Sequence, residues 1–206
     1  MFFLPGQHQE FGLPHSPLKA LISPRPIVWI STCSEDGIAN LSPYSFFNAI
    51  AELPPMVMFV SAPDAREGTQ GGHKDSFTNI QQTGEFGVNI VGMDQAKQML
   101  ASSQTLPAQS DEFEHAGLTK KKAEKISVPL VEGAPAHLEC VYYDHVTLPD
   151  NGKGGHSIIV LGNIVGIHID EAIIKDGLVD VTKYQAVSRL GYQDYSAVTE
   201  LFSMKL

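Results

Sequence analysis

The sequence is poor in cysteine, in basic charge and in long apolar runs. Two Cys among 206 residues can build neither a disulfide framework nor a four-thiolate zinc site. The longest apolar runs, such as residues 56–60 (MVMFV) and 158–161 (IIVL), fall far short of the roughly 20 residues a membrane-spanning helix needs. Residues 1–9 lack the basic residue and long apolar stretch of a secretion signal. Only 14 Lys and Arg stand against 23 Asp and Glu, a formal charge of −9. That disfavours nucleic acid as a ligand, because its binders neutralise phosphates with excess Lys and Arg. A local basic spot can still hold an anionic cofactor. These absences lead us to expect a reduced, cytoplasmic protein with neither a membrane nor a nucleic-acid partner.

Common fingerprints are also missing. Gly152-Lys153-Gly154-Gly155 lacks the upstream Gly and following Ser or Thr of a nucleotide P-loop. Ser157 stands where the last Gly of a dinucleotide motif would be, so the segment reads as a hairpin loop. No Gly-x-Ser-x-Gly elbow occurs. His137 and Cys140 lie three apart on an expected strand, hence on opposite faces, and His168 with Asp170 makes only two ligands. No metal site is expected. Neither Cys33 nor Cys140 has a visible basic neighbour that would make it a reactive thiolate.

Hydrophobic residues make up 43% of the chain, enough for a core, and the length fits a single domain over residues 1–206. The 18 Gly and 13 Pro punctuate short runs, which argues for strands and turns. Residues 27–33 (IVWISTC) read as a strand. Asp36-Gly37 is a hairpin turn signal, and 38–45 is the return strand. Residues 56–61, 85–91, 136–147 and 157–169 read as further strands, the last two joined through the turn-rich segment 148–155. Helices are expected over 74–83, ending at Gly84, and over 93–101. Residues 62–73 are a loop, and the polar segment 104–125 with its Lys120-Lys121-Lys122 cluster is placed on the surface. Strands dominate, helices are inserts, and the pattern predicts a closed antiparallel barrel.

Two segments carry chemistry. Lys74-Asp75-Ser76 opens an expected helix, where free backbone N–H groups, a cation and a hydroxyl would suit a phosphate. An ordinary helix cap with a solvated Lys is the alternative. Asn40-Leu41-Ser42-Pro43-Tyr44-Ser45-Phe46-Phe47-Asn48 interleaves small polar groups with aromatics, as a flat heteroaromatic ligand requires. A strand edge and tight corner would give the same pattern.

In order and spacing, these segments resemble the flavin reductase-like family, which includes flavoredoxins and the reductase component of nitrilotriacetate monooxygenase. The resemblance runs from about residue 20 to 195. It is carried by residues 25–32 (RPIVWIST), Gly37, residues 40–48, Pro54-Pro55, residues 74–80 (KDSFTNI), residues 83–89 (TGEFGVN), Leu138-Glu139-Cys140 and Arg189-Leu190-Gly191. It implies a mainly β fold with inserted helices, an antiparallel six-stranded split β-barrel that binds FMN, normally as a homodimer. It implies hydride transfer from NADH or NADPH to flavin, with a monooxygenase as one partner that would receive it. By position, Asn40, Leu41, Ser42, Ser45 and Asn48 would surround the isoalloxazine and ribityl chain. Lys74 and Ser76 would hold the phosphate, with Thr32 and Arg189 as further candidates, and Asp75 would turn away to cap the helix or pair with a base. The flavin itself would carry the chemistry, so no catalytic side chain is assigned. An FMN electron carrier or redox sensor without NAD(P)H turnover is the competing expectation. An interaction module with a vestigial pocket is a third.

Overall fold

The computed structural model describes residues 1–64, 66, 72–152 and 155–204. Part of the 62–73 loop and two residues of the 152–155 hairpin loop, Lys153 and Gly154, lie outside them. Seven strands form the main sheet: β1 (Val28–Cys33), β2 (Ala39–Tyr44), β3 (Phe47–Glu52), β4 (Pro55–Ser61), β5 (Glu85–Ile90), β6 (Ala136–Asp150) and β7 (His156–Ile169). Their order is β2-β1-β5-β6-β7-β4-β3, and every neighbouring pair is antiparallel. The main helices are α1 (Asp75–Thr83), α2 (Ala96–Ala101) and α3 (Glu112–His115).

The sheet has seven strands where six were expected, and β2 and β3 are both edges, so the barrel is split rather than closed by a full hydrogen-bonded ring. The additional strand is β3. Its sequence FNAIAE is largely exposed and carries few β-branched residues, so from sequence it looked like a corner. It pairs with β4 from Phe47 opposite Phe59 to Glu52 opposite Pro55.

Alternation along β1 builds two cores from one strand. Val28 and Ile30 join Phe59, Phe86, Val88 and Cys140 on one side. Trp29 joins Leu41, Met99, Phe113 and Val131 on the other. Helix α1 closes the first core with Phe77 and Ile80, both essentially fully buried, each worth about 1.5–3 kcal/mol in transfer free energy. The helix stops at Gly84, whose φ of 75° suits a left-handed cap and whose N–H returns to the Ile80 carbonyl at 2.9 Å. Gly162 on β7 is the close-approach point of this core: a Cβ there would overlap the Phe86 ring.

The segment 104–125 corrects an expectation. It is not simply surface, because Phe113 is fully buried and Glu112 nearly so. Asp111 starts the short helix α3 by accepting from Phe113 N–H at 2.9 Å. That cap aims Phe113 into the second core and Glu112 at the sheet edge. A polar average over twenty residues concealed one anchoring aromatic.

Candidate functional site

A trench follows the free edge of β2, walled by α1 on one side and by residues 99–109 on the other. At one end a cavity of about 590 Å³ is lined by Pro43, Tyr44, Ser45, Leu100, Arg189 and Tyr195, among others. Next comes a recess of about 70 Å³ between Asn40, Ser42, Lys74, Ser76 and Glu112. Beyond it lies a second cavity of about 530 Å³.

Edge strands leave alternate N–H groups unpaired. Here the Leu41 N–H is taken by the Glu112 carboxylate at 3.1 Å. Two residues on, the same edge position is Pro43, which has no N–H to leave open. Behind the edge runs a buried polar chain. The Ser76 hydroxyl donates to Asn40 Oδ1 at 3.0 Å, Thr32 Oγ1 donates to the same oxygen at 3.3 Å, and Asn79 Nδ2 donates to Thr32 Oγ1 at 3.0 Å. All four side chains are buried, so the chain fixes α1 against β1 and β2.

The charged side of the recess is built on α1 and the loop after β4. Lys74 occupies the N-cap position of α1 in extended backbone, no side chain caps that end, and its ammonium lies 5.9 Å from the centre of the Tyr44 ring. Arg66 is the bridging cation. Its guanidinium donates to Asp64 at 2.6–2.8 Å, to Asp75 at 2.7 Å and to the Leu106 carbonyl at 2.6 Å. Burial opposes ionisation of Asp64, but the Arg66 hydrogen bonds and charge outweigh it and hold the carboxyl below its ordinary range. Asp75 pairs with a base, as expected. Burial pushes the Glu112 carboxyl up, partly offset by the Leu41 N–H.

Asn40, Ser42, Lys74 and Ser76 therefore meet in the recess, and Ser45 and Arg189 meet in the larger cavity. Arg189 lies in the end cavity, apart from Lys74 in the recess, packing on Tyr195 at 4.2 Å from its ring centre and donating to the Tyr192 carbonyl at 2.6 Å. Thr32 sits beneath the recess without lining it, and Leu41 puts its side chain into the second core while its backbone faces Glu112. Asn48 is exposed on β3 and lines none of these three cavities. Sequence reading missed Arg66, Asn79 and Glu112. Asn79 lies within the quoted 74–80 motif, one helical turn from Ser76, and its place on the buried face was the available signal. Arg66 and Glu112 sit in segments with no periodicity.

Glu112 gives a test of the recess. A carboxyl whose folded pKa is raised adds stability that is fully present below its unfolded value, about 4.3, and is lost as pH rises through the folded value. Glu112→Gln keeps an acceptor for Leu41 N–H and removes the titration. The variant is expected to lose less stability between pH 4 and 8 than wild type, measured by urea unfolding across that range. An identical pH profile would show that Glu112 is ordinarily ionised in the fold.

Comparison with known proteins adds the following. A family model described as "Flavin reductase like domain" matches residues 21–188. An uncharacterized protein of Aquifex aeolicus is 34% identical over 176 residues, covering 85% of each chain. Nitrilotriacetate monooxygenase component B from Bacillus cereus superposes with a TM-score of 0.88 at 26% identity, covering 99% of this chain and 98% of that one. Flavoredoxin of Desulfovibrio vulgaris shares the fold, with a TM-score of 0.72 at 20% identity over 88% of this chain and 90% of its own.

Proposed function

The chain belongs to the flavin reductase-like family, and from that premise we propose that it is an FMN-dependent oxidoreductase that passes a hydride from NADH or NADPH to flavin. The observation that supports this most is the trench: a ring-sized, partly aromatic cavity beside a small recess that holds a cation at a helix N-terminus, with Ser103 lining both. The residues fit the group. A phosphate needs donors and positive charge, which Lys74, Arg66 and the open first turn of α1 supply. A flavin ring needs apolar faces, which Pro43, Tyr44 and Tyr195 supply.

Bound flavin would supply the hydride chemistry itself. The chain's residues position it. Lys74 and Arg66 hold the phosphate end. Asn40 and Ser42 present an amide and a hydroxyl beside the ribityl chain. Arg189 sets a fixed cation at the ring end, stacked on Tyr195, where it favours an anionic ring over a neutral one. The Ser76 hydroxyl already donates to Asn40, so its proton is committed to the buried chain, and we assign Ser76 to shaping the recess.

The working unit is proposed to be a homodimer. Apolar side chains stand exposed along β6 and β7, including Tyr143, Val146, Val165 and Ile167, and a second copy would cover them. Sedimentation of the flavin-loaded protein should give a dimer, and a monomer at micromolar concentration would contradict it. Among the described residues, no helix is long and apolar enough to cross a membrane, and we place the protein in the cytoplasm. Bacillus cereus component B belongs to a monooxygenase, and delivery of reduced flavin to such an enzyme is the proposed use here.

Anaerobic mixing of the FMN-loaded protein with NADH and with NADPH tests the reaction. Bleaching of the flavin absorbance within seconds by one or both is expected. Bound flavin that bleaches with dithionite but with neither nucleotide would favour the electron-carrier reading.

A further inference from the structure

The recess is out of electrostatic balance even before a phosphate enters it. Three carboxylates, Asp64, Asp75 and Glu112, line it together with two cations, Arg66 and Lys74. Asp64 and Asp75 both pair with Arg66. Glu112 pairs with no cation among the described residues. It is also the only buried carboxylate of the three, at 6% exposure. The groups around it can be named element by element. Lys74 and Asp75 stand at the start of α1, and Asp64 and Arg66 on the loop after β4. Strand β2 adds the Tyr44 phenol, which burial keeps protonated. The segment 99–109 across the recess contains no titratable residue. Beside Glu112 on its own helix, Asp111 is taken by Lys120, and Glu114 and His115 are exposed.

With these five lining groups ionised, the recess holds a net charge of about −1, and a phosphate that is close to a dianion would bring it to about −3. Like charge disfavours an ionised carboxylate, and Glu112 has no cation to hold its charge in place. We propose that Glu112 takes up one proton from solvent when the phosphate of FMN enters the recess, and that this proton sets how tightly the phosphorylated flavin is held. The proposal rests on the flavin reading above and adds a proton to its binding step. Ionised Glu112, FMN and one proton combine to give neutral Glu112 beside bound FMN. The neutral carboxyl still accepts from the Leu41 N–H through Oε2 and gains one O–H to donate. Burial already pushes this carboxyl up in the free protein, so the phosphate adds to a shift in the same direction. By linkage, the proton strengthens FMN binding by the same factor by which FMN strengthens binding of the proton. FMN affinity therefore falls as pH rises from the Glu112 pKa of the free protein to that of the complex.

Flavin-fluorescence titrations of wild type and Glu112→Gln with FMN and riboflavin, from pH 5.5 to 8.5, test this. Both proteins share the titration of the phosphate itself, so the difference between them reads Glu112. Over that range, FMN affinity of wild type should fall by about tenfold or more relative to the variant. At pH 8.5 Glu112→Gln should bind FMN more tightly than wild type does. Riboflavin lacks the phosphate, and its affinity should show no such divergence. Calorimetry of wild type alone, in two buffers of different ionisation enthalpy, counts the proton without a variant. Between pH 6.5 and 8 the uptake should exceed about half a proton per FMN, with none for riboflavin. Parallel FMN profiles for the two folded proteins overturn the proposal, as does equal proton uptake with riboflavin or none with FMN. If wild type binds neither flavin, the flavin reading fails first and the proposal falls with it.

Discussion

Replacing Arg66 with alanine is expected to weaken FMN binding by more than about a hundredfold, the largest loss of affinity for any single substitution in the trench. Two effects add. A charge-assisted contact to the phosphate is worth about 1.5–3 kcal/mol, and 1.4 kcal/mol is one decade in affinity. In addition, Asp64 and Asp75 are both paired with this guanidinium, which offsets one of their two negative charges. Without it, two carboxylates would face a phosphate that is close to a dianion. Lys74→Ala removes one cation and strands no carboxylate pair, so a smaller loss of about tenfold to a hundredfold is expected. Riboflavin lacks the phosphate and should lose less than tenfold in either variant. Flavin-fluorescence titration with both ligands separates the cases. Equal losses of FMN and riboflavin would mean that Arg66 supports the fold rather than the phosphate.

The second large effect is on stability. Glu139 on β6 is fully buried. Its carboxylate accepts from the backbone N–H groups of Glu124, Lys125 and Ile126 at 2.6–3.0 Å and pairs with the His168 ring. Burial alone would raise its pKa, but these donors outweigh it, and the carboxyl lies below its ordinary range. Glu139→Ala leaves the buried Ile126 N–H unmatched, together with the half-buried Glu124 and Lys125 N–H groups and the His168 imidazole, at a cost of about 3–5 kcal/mol. At roughly 2–4 °C per kcal/mol for a domain of this size, Tm should fall by on the order of 10 °C. Glu139→Gln keeps an acceptor and should lose less.

The pH dependence runs opposite to that of Glu112. A depressed folded pKa gives stability that is present above the unfolded value of about 4.3 and is lost as pH falls through the folded value. Wild type should therefore destabilise in acid more steeply than Glu139→Gln. Glu139 lines none of the three trench cavities, so FMN affinity of the folded variant should be unchanged. A Glu139→Ala protein as stable as wild type would show that the 124–126 N–H groups find water or other acceptors.

Much of the framework was legible in local pattern. The strand over 28–33, the Asp36-Gly37 turn and the helix ending at Gly84 each rest on strong local physics: a β-branched run, a residue needing positive φ, a left-handed cap. Strand β3 was not legible because its exposed, Ala- and Asn-containing sequence is held by pairing with β4, which no local pattern records. The candidate site was half legible. Asn40, Ser42, Lys74 and Ser76 are close in space and were grouped through the family resemblance. Arg66 reaches the recess from an irregular loop and Glu112 from the four-residue helix α3, and only tertiary placement shows that one pairs with Asp64 and Asp75 while the other takes the Leu41 N–H. The role of Ser76 changed for a similar reason: a hydroxyl has one proton to donate, and Asn40 holds it.

A crystal structure of the protein soaked with FMN would test the central claim most directly. The account predicts the phosphate in the recess between Lys74, Arg66 and the first turn of α1, and the ring in the cavity bounded by Pro43, Tyr44, Ser45 and Arg189. Flavin density in the reverse orientation, or outside the β2 trench altogether, would contradict it.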